Sequence, residues 1–307
     1  MVEKLVPFTG VIVPMVSPFD EHLNIDRQAV ERMLKGFIDN NISPFLLGTT
    51  GESVSLSRKQ KLDLVDSVTE ICHGKVKVYA GISGNCLAES VEEAKVYADY
   101  GIDAVVAHLP FYYPLDDNQM LHYYEQLADH VPCPLILYNN PITTKFSVSL
   151  NLIEKLSYHP NIAGVKDSER GQERLDQAIA MWSRRSDFVH LIGWAAQSAY
   201  ALLKGSDGII PSTGNVTPVL YKELYEAALS GNALKANGLQ EKANLISEIY
   251  QKNRNLSKSL PALKVMMSAV GLCQPYVLPP MYRLDGGEEQ LIGEQTRAIL
   301  KEFHAVQ

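Results

Sequence analysis

The chain has 307 residues, of which 46% are hydrophobic and 21% charged, and its formal net charge is −7. Its lysines and arginines are scattered, no apolar run reaches the roughly 18 residues that a membrane helix needs, and the N-terminus shows no positively headed apolar stretch. We therefore expect a soluble, cytoplasmic protein with no nucleic-acid or membrane partner, long enough for one large α/β barrel with an appendage or for two ordinary domains.

Short apolar runs alternate with amphipathic stretches along most of the chain. The predicted strands are residues 10–16, 44–48, 76–81, 103–109, 134–139, 162–167, 189–194 and 208–212. The predicted helices begin near Asp26, Ser57, Ala88, Asn118, Ser149, Gln172, Gln197 and Thr217. Eight strand and helix pairs predict an α/β protein with a (β/α)8 TIM barrel, although a doubly wound open sheet produces the same alternation. Uniformly short strands and the lack of a complete GxGxxG motif favour the barrel.

After about residue 230 the pattern contains only helices, and apolar residues recur at helical spacing in residues 232–251 and 261–271. We predict a catalytic barrel over residues 1–230 and a C-terminal helical segment, residues 231–307, packed on it. The chemistry of such barrels lies at the C-terminal ends of the strands, so the residues at those ends are the candidates for function.

The cysteines and histidines form no metal-binding or disulfide pattern. The cysteines lie far apart without a CxxC pair, at Cys72, Cys86, Cys133 and Cys273, and the histidines form no HxH or HExxH pair. We therefore expect reduced thiols and a mechanism without a metal or another cofactor.

The second predicted strand runs into GTTGES, residues 48–53. Thr49 and Thr50 lie in a tight turn before a helix, where hydroxyls and free backbone N–H groups suit a carboxylate. Thr50 and Gly51 are accordingly candidates for substrate binding. The alternative is that both threonines only cap the turn.

Aromatic residues follow the fourth strand and end the fifth. HLPFYYP, residues 108–114, places Tyr112 in a rigid loop suited equally to covering a pocket and to a subunit contact. ILYNNP places Tyr138 at the end of an apolar run, where its hydroxyl can move a proton or bind a substrate, or be satisfied within the core.

The sixth strand runs apolar and then reaches Lys166. Apolar surroundings remove hydration from an ammonium, lower its pKa and raise the fraction of free amine, which can attack a ketone to form a Schiff base. The structural alternative is an ordinary ion pair with Asp167 or Glu169.

GTTGE, PFYYP, YNNP and GVKDS occur in this order, and together they resemble the dihydrodipicolinate synthase and N-acetylneuraminate lyase family, the class I pyruvate-dependent aldolases, over essentially the whole chain. The resemblance implies that Lys166 forms a Schiff base with pyruvate or another 2-keto acid. It implies that Thr50 and the backbone N–H groups of Thr49 and Thr50 hold the carboxylate of the keto acid. It also implies that Tyr138 is a proton shuttle and Thr49 its relay hydroxyl.

The same resemblance implies an assembly and a second substrate. Tyr112 is similar to the tyrosine that reaches into the neighbouring subunit's site, and Ile210 matches the position whose carbonyl lies near the reacting centre. The family pattern implies a homotetramer of two tight dimers, with an aldehyde as the second reaction partner. Schiff-base chemistry needs no cofactor.

Departures from the family pattern bear on the substrate. Thr143 stands where the synthases carry an arginine for the carboxylate of aspartate semialdehyde, and Ala195 and Ala196 stand where the sialic acid lyases carry acids for sugar hydroxyls. Thr143, Trp194 and Ser212 are the predicted lining of the distal pocket. We therefore favour a lyase that makes or breaks a C–C bond between pyruvate and an aldehyde, with a 2-keto-3-deoxy sugar acid or a similar 2-keto acid as substrate.

Three alternatives stay open from the sequence. The first is 4-hydroxy-tetrahydrodipicolinate synthase itself, and the second is a non-catalytic relative that binds a keto acid. The third is a barrel that binds a phosphorylated substrate through PSTGN, residues 211–215, after the eighth strand.

Overall fold

The structure, a computed structural model, describes Leu5 and residues 7–303. Its strands are β1 (Gly10–Pro14), β2 (Ser43–Leu46), β3 (Tyr79–Gly81), β4 (Ala104–His108), β5 (Leu135–Asn139), β6 (Ile162–Asp167), β7 (Val189–Ile192) and β8 (Gly208–Ile209). Each strand pairs in parallel with the next, and β8 pairs with β1, so the sheet is closed. Helices follow the strands, which confirms the predicted (β/α)8 TIM barrel.

Helices occupy most of the remaining chain. In the described residues they are α1 (Arg27–Asp39), α2 (Arg58–Cys72), α3 (Leu87–Asp99), α4 (Asp117–His130), α5 (Pro141–Thr144), α6 (Leu150–Leu156), α7 (Gln172–Trp182), α8 (Ser198–Lys204), α9 (Pro218–Leu229), α10 (Ala233–Gln251), α11 (Leu256–Ala269) and α12 (Gly286–Glu302). The side chains of Asp26, Ser57 and Ser149 each accept a hydrogen bond from a backbone N–H group of the first turn. These N-caps explain why the helices begin where the sequence predicts.

Several strands end earlier than the sequence predicts. The second strand ends at Leu46 because Leu47 adopts a left-handed backbone conformation with φ of 55°, which turns the chain out of the sheet. The predicted ends at residues 16 and 194 also fall in loops, beyond β1 and β7, and residue 212 begins a 3₁₀ helix after β8. These segments instead shape the mouth of the barrel.

The barrel interior is filled by side chains that alternate with outward-facing ones. Along β5, Ile136 and Tyr138 belong to the cluster inside the barrel, whereas Leu135 and Leu137 pack in the layer between the sheet and the helices. This alternation decides which residue at each strand end faces the mouth of the barrel.

The C-terminal helices pack on the barrel. Helix α10 lies against α8 and α9, and α11 lies against α12. The change from barrel helices to C-terminal helices falls between Leu229 and Ala233. The division into residues 1–230 and 231–307 stays a prediction, and residues 1–4, 6 and 304–307 lie outside the described residues. No helix in the described part of the chain is long and apolar enough to cross a membrane.

Candidate active site

The candidate site is a cavity of about 620 Å³ at the C-terminal mouth of the barrel. Most of the residues predicted from the sequence line it, namely Thr49, Thr50, Tyr138, Lys166, Trp194, Ile210 and Ser212. Volume alone does not select this cavity, because a cleft lined by α1 and α12 is larger, at about 760 Å³. The cavity at the barrel mouth is distinguished by the buried lysine in its wall.

Three neighbouring strands place their polar ends side by side. The sheet register pairs His108 of β4 with Tyr138 of β5, and Tyr138 with Lys166 of β6. Paired residues of adjacent strands point to the same face of a sheet, so the three side chains stand together inside the barrel. Lys166 Nζ lies 3.8 Å from the ring centre of Tyr138 and 4.6 Å from that of Phe45.

Burial increases the fraction of Lys166 that is the free amine. The residue is 4% exposed, and burial lowers the pKa of its ammonium, while the Tyr138 hydroxyl opposes that shift. Lys166 forms no ion pair with any described carboxylate. Asp167, the partner considered in the structural alternative, instead accepts a hydrogen bond of 2.8 Å from Arg174 Nε.

Tyr138 is held by polar neighbours on both sides. Its hydroxyl lies 3.5 Å from Thr49 Oγ1 and accepts a hydrogen bond of 3.0 Å from Asn140 Nδ2. Burial by itself raises the pKa of Tyr138, but the Lys166 ammonium and the surrounding hydrogen bonds together hold it below its usual range. A lowered pKa makes the Tyr138 hydroxyl a better proton donor, which suits a role in proton transfer.

The turn at residues 48–53 offers unused donors to the cavity. Backbone bonds from Gly51 N to Gly48 O, at 3.0 Å, and from Glu52 N to Thr49 O, at 3.2 Å, close the turn. No described residue accepts a hydrogen bond from the backbone N–H groups of Thr49 and Thr50. Free N–H groups in a cavity that also contains a lysine suit a carboxylate.

Gly51 lies behind this turn and outside the cavity wall. Its carbonyl accepts a hydrogen bond of 2.6 Å from Ser17 Oγ. A Cβ at this position would lie 3.0 Å from the Met15 carbonyl oxygen, so a side chain would push the turn away from the segment that follows β1. Gly51 thus supports the turn, and the structure does not bring it to the cavity.

Two polar residues that the sequence analysis did not single out also line the cavity. Asn140 donates to Tyr138, as described above, and the Ser168 hydroxyl helps to lower the pKa of Tyr138. A Cβ at Gly193 would lie 2.0 Å from Ser168 Oγ, so a glycine is needed there to leave space for this hydroxyl. Both residues lie within the motifs YNNP and GVKDS, so the sequence marked their positions, but it did not show the direction of their side chains.

His108 is a further residue that the sequence analysis missed. Its Nδ1 lies 2.7 Å from the Leu109 carbonyl, an acceptor, which places the imidazole proton on Nδ1. Burial lowers the pKa of His108 and the charge of Lys166 lowers it further, so the ring is held neutral. Its ring centre is 6.0 Å from that of Tyr138, so the imidazole packs beside the tyrosine without lining the cavity.

The structure does not bring every predicted residue into the cavity. Tyr112 is 74% exposed and stacks edge-on with Tyr113, and Thr143 Oγ1 donates to the Asn140 carbonyl at 3.1 Å. Neither is among the described residues that line the cavity. Ser212 does line it, but its hydroxyl lies 2.7 Å from the Tyr250 hydroxyl and is already hydrogen-bonded.

The far wall of the cavity comes from the C-terminal helices. It contains amide and hydroxyl side chains of α10, α11 and the segment between them, namely Asn244, Ser247, Gln251, Asn255 and Ser259. Several of them already bond to neighbouring residues, as Ser247 does to the Asn244 carbonyl, but amides and hydroxyls have further donors and acceptors and therefore suit a hydroxylated ligand. The sequence analysis missed them because a polar helix residue that faces a cavity looks the same as one that faces solvent.

The charged residues in the described cavity wall are all cationic: Lys166, Arg170 and Arg254. The charge of Arg254 is offset by Glu288, whose Oε1 lies 2.6 Å from a guanidinium nitrogen. Across the described residues, no group of three histidine, cysteine, aspartate or glutamate side chains is placed to hold a metal ion. The site therefore offers an amine, hydroxyls and anion-binding donors as its chemical groups.

Comparison with known proteins places the chain in a family. The model of the dihydrodipicolinate synthetase family matches residues 7–301. The chain is 29% identical to the probable 2-dehydro-3-deoxy-D-pentonate aldolase YjhH of Escherichia coli K12, over 92% of this chain and 93% of that protein.

Two solved structures extend this likeness to the fold. Dihydrodipicolinate synthase from Bacteroides thetaiotaomicron is 32% identical with a TM-score of 0.89, covering 95% of this chain and 99% of that one. YagE of Escherichia coli K12, in complex with pyruvate, is 25% identical with a TM-score of 0.90, covering 98% and 100% of the two chains. The chain therefore belongs to the dihydrodipicolinate synthetase family, whose members include pyruvate-dependent aldolases.

Proposed function

We propose that the protein is a lyase in which Lys166 forms a Schiff base with a 2-keto acid and a C–C bond is made or broken between pyruvate and an aldehyde. The observation that carries this proposal is a buried lysine at a strand end without a carboxylate partner among the described residues. Burial lowers its pKa, so a larger fraction of the residue is the free amine that attacks a ketone.

In the cleavage direction, the protonated Schiff base accepts the electron pair of the C3–C4 bond of the bound keto acid. The C4 hydroxyl loses its proton as the aldehyde leaves, and Tyr138, with Thr49 as relay, is proposed to take that proton. The resulting enamine is protonated at C3, and water hydrolyses the imine to release pyruvate. The carbonyl of Ile210, whose residue lines the cavity, is proposed to lie near the reacting centre.

The carboxylate of the keto acid is proposed to bind in the turn after β2. Thr50, together with the backbone N–H groups of Thr49 and Thr50, supplies donors that no described residue uses. This places the keto carbon toward Lys166, which lines the same cavity. Carboxylate binding thus orients the ketone for attack by the amine.

A 2-keto-3-deoxy sugar acid is the proposed substrate. The amides and hydroxyls of α10 and α11 support it, because they match the hydroxyl groups of a sugar chain. The related protein YjhH is named as a probable 2-dehydro-3-deoxy-D-pentonate aldolase, and a 2-dehydro-3-deoxy-pentonate is a substrate of this type. Trp194 adds an apolar surface in the same wall.

Aspartate semialdehyde condensation is the second candidate, supported by the 32% identity to the synthase from Bacteroides thetaiotaomicron. Thr143 stands where the resemblance leads us to expect an arginine, and its hydroxyl is bonded to the Asn140 carbonyl. Coupled assays should therefore show a higher kcat/KM for pyruvate release from a 2-keto-3-deoxy sugar acid than for the condensation. A more efficient condensation that is unaffected by Thr143→Ala would reverse this preference.

The assembly and the location also stay proposals. We propose a homotetramer in which Tyr112 reaches the neighbouring subunit's site, and the exposure of Tyr112 and Tyr113 in one loop supports a subunit contact there. A cytoplasmic location stays a prediction from the sequence.

Borohydride trapping tests the proposed function. Incubation with pyruvate and borohydride should add one reduced pyruvyl group to Lys166, located by mass spectrometry of peptides. Lys166→Ala should abolish the label, and Lys145→Ala is the matched control because Lys145 is exposed and bonded to the Ile142 carbonyl. Unchanged labelling of Lys166→Ala would refute the assignment. Labelling without any turnover of keto acids would instead indicate the non-catalytic, keto-acid-binding relative.

A further inference from the structure

Arg170 lies in the loop after β6, and it lines the candidate active-site cavity. Its guanidinium makes no hydrogen bond or ion pair with any described residue. The acidic residues beside it are engaged elsewhere. Asp167 accepts a hydrogen bond of 2.8 Å from Arg174, and Glu169 accepts one of 2.8 Å from Asn139. Arg170 is therefore an exposed cation without a counter-ion in the described part of the chain.

The charge of the cavity contrasts with that of the whole chain. The chain carries 35 acidic residues and a net charge of −7, yet the described residues of the cavity wall include no aspartate or glutamate. Of the cations there, Arg254 is balanced by Glu288 and Lys166 is the proposed imine-forming residue. Arg170 is left to attract an anionic group of the ligand.

We infer that Arg170 binds a second carboxylate, at the end of the substrate remote from the keto acid. This inference rests on the proposed function, and it narrows the substrate to a 2-keto-3-deoxy sugar diacid. A guanidinium presents a planar fork of N–H donors that fits a carboxylate, and one guanidinium balances one carboxylate charge. A phosphate dianion would need a second cation, and Arg254 in the same wall is already balanced by Glu288. Ser212, at the start of the predicted phosphate-binding segment, is already bonded to Tyr250.

The geometry separates the two ends of such a substrate. The keto acid carboxylate occupies the turn after β2 and the second carboxylate lies at the loop after β6, with Lys166 in the same wall. The hydroxyl-bearing carbons between them face the amides and hydroxyls of α10 and α11. Arg170 lies in the loop after β6, whereas Thr143 lies in α5, so Arg170 does not stand at the position where the arginine is absent.

Two aldehydes that differ in one group test this inference in the direction of synthesis. Tartronate semialdehyde and glyceraldehyde share the aldehyde and the neighbouring hydroxyl, but the first ends in a carboxylate and the second in a hydroxymethyl group. In both reactions C3 of pyruvate forms a bond with the aldehyde carbon, without oxidation or reduction. The full-length protein should show the higher kcat/KM with tartronate semialdehyde.

Arg170→Gln should lower kcat/KM for tartronate semialdehyde by about 10-fold, because one charged hydrogen-bond pair in a partly solvated site is lost. The kcat/KM for glyceraldehyde should be unchanged, since glyceraldehyde has no carboxylate for Arg170 to bind. Arg170→Lys should retain part of the preference, because it keeps the charge and loses the fork. Arg184→Gln is the matched control, since Arg184 is also exposed and without a partner among the described residues but lies outside the cavity wall. Thermal melts should show that all three variants fold.

Equal losses of Arg170→Gln on both aldehydes would overturn the inference, as would a wild-type preference for glyceraldehyde or glyceraldehyde 3-phosphate. The lack of a product from tartronate semialdehyde would overturn it too. Pyruvate trapping on Lys166 should be unchanged in Arg170→Gln. A failure of trapping in the wild-type protein would refute the proposed function. Trapping therefore tests the Schiff base separately, and the comparison of the two aldehydes tests the substrate assignment.

Discussion

Replacing Lys264 by methionine removes the cation from a buried ion pair that ties the turn after β2 to the C-terminal helices. Lys264 is 1% exposed and Glu52 is 3% exposed. Lys264 Nζ bonds to Glu52 Oε1, donates to the Tyr276 carbonyl at 2.7 Å, and lies 4.1 Å from the ring centre of Phe19. Glu52 Oε2 accepts the backbone N–H of Leu278 at 2.8 Å. The pair therefore joins three separate segments of the chain.

The magnitude follows from what the substitution leaves behind. Methionine has nearly the length of the lysine stem, so the variant forms little cavity and the main loss is the charge. The Glu52 carboxylate keeps the hydrogen bond from the Leu278 N–H but loses the one from Lys264, and the Tyr276 carbonyl also loses its donor. Removing one partner of a buried ion pair costs about 3–5 kcal/mol of folding free energy. Lys264→Met combined with Glu52→Gln removes both charges, and should be less destabilised than the sum of the single variants by about 1–3 kcal/mol.

Urea unfolding at one fixed protein concentration measures these differences from the midpoint and the slope. Lys252→Met is the matched control, because Lys252 is 66% exposed and pairs with Glu248 on the surface, so it should cost less than about 1 kcal/mol. Lys264→Met should also raise KM for pyruvate, since the turn that holds Thr49 and Thr50 loses its anchor. An unchanged midpoint and slope for Lys264→Met would refute this reasoning.

Further predictions concern the catalytic groups. Tyr138→Phe should keep the fold and lower kcat by about 10²-fold or more, the contribution of a general acid–base group. A wild-type kcat in steady-state kinetics would mean that Tyr138 has only a packing role. Gly193→Ala should displace the Ser168 hydroxyl, because the new Cβ would lie 2.0 Å from Ser168 Oγ, and should lower kcat/KM by about fivefold, the effect of losing one hydrogen-bonding group. If the loss acts through Ser168, adding Gly193→Ala to the Ser168→Ala variant should lower kcat/KM no further. Wild-type kinetics of the Gly193→Ala variant would contradict this prediction. The rate of pyruvate trapping on Lys166 should rise with pH as the ammonium loses its proton. Because burial lowers the pKa of Lys166, this rise should occur at a lower pH than for the side-chain amine of Nα-acetyl-lysine. Coincident pH profiles for the two amines would contradict the burial argument.

Much of the fold was accessible from the sequence. The apolar runs and amphipathic stretches repeat eight times, and this periodicity, together with the short strands and the lack of a complete GxGxxG motif, predicted the closed barrel that the structure shows. The side chains of Asp26, Ser57 and Ser149 predicted helix starts because N-capping involves only neighbouring residues. Strand ends were less accurate, as at Leu47, because a left-handed backbone conformation in a non-glycine residue leaves no sequence signal.

The central part of the candidate site was also accessible. A parallel barrel brings all its strand ends to one mouth, so residues at the ends of different strands had to meet there. Lys166, Tyr138, Thr49 and Thr50 line one cavity for this reason. Their assignment to catalysis stays a prediction, which the trapping and kinetic experiments test.

Only the tertiary structure decided which polar groups are already engaged. Arg170 and Arg174 lie in the same short segment, yet Arg174 pairs with Asp167 while Arg170 has no partner in the described part of the chain. Thr143 looked available from the sequence, but its hydroxyl bonds to the Asn140 carbonyl. Hydrogen-bond partners depend on side-chain direction, which periodicity does not encode.

The sequence by itself therefore determined the barrel and the residues that its strand ends bring together, because both follow from local hydrophobic pattern and from barrel topology. Only the tertiary structure placed the polar side chains of α10 and α11 over the cavity and joined Glu52 to Lys264, more than two hundred residues away along the chain. Such contacts arise when helices pack on the barrel. Packing depends on the shapes of both surfaces at once, and no local stretch of sequence contains that information.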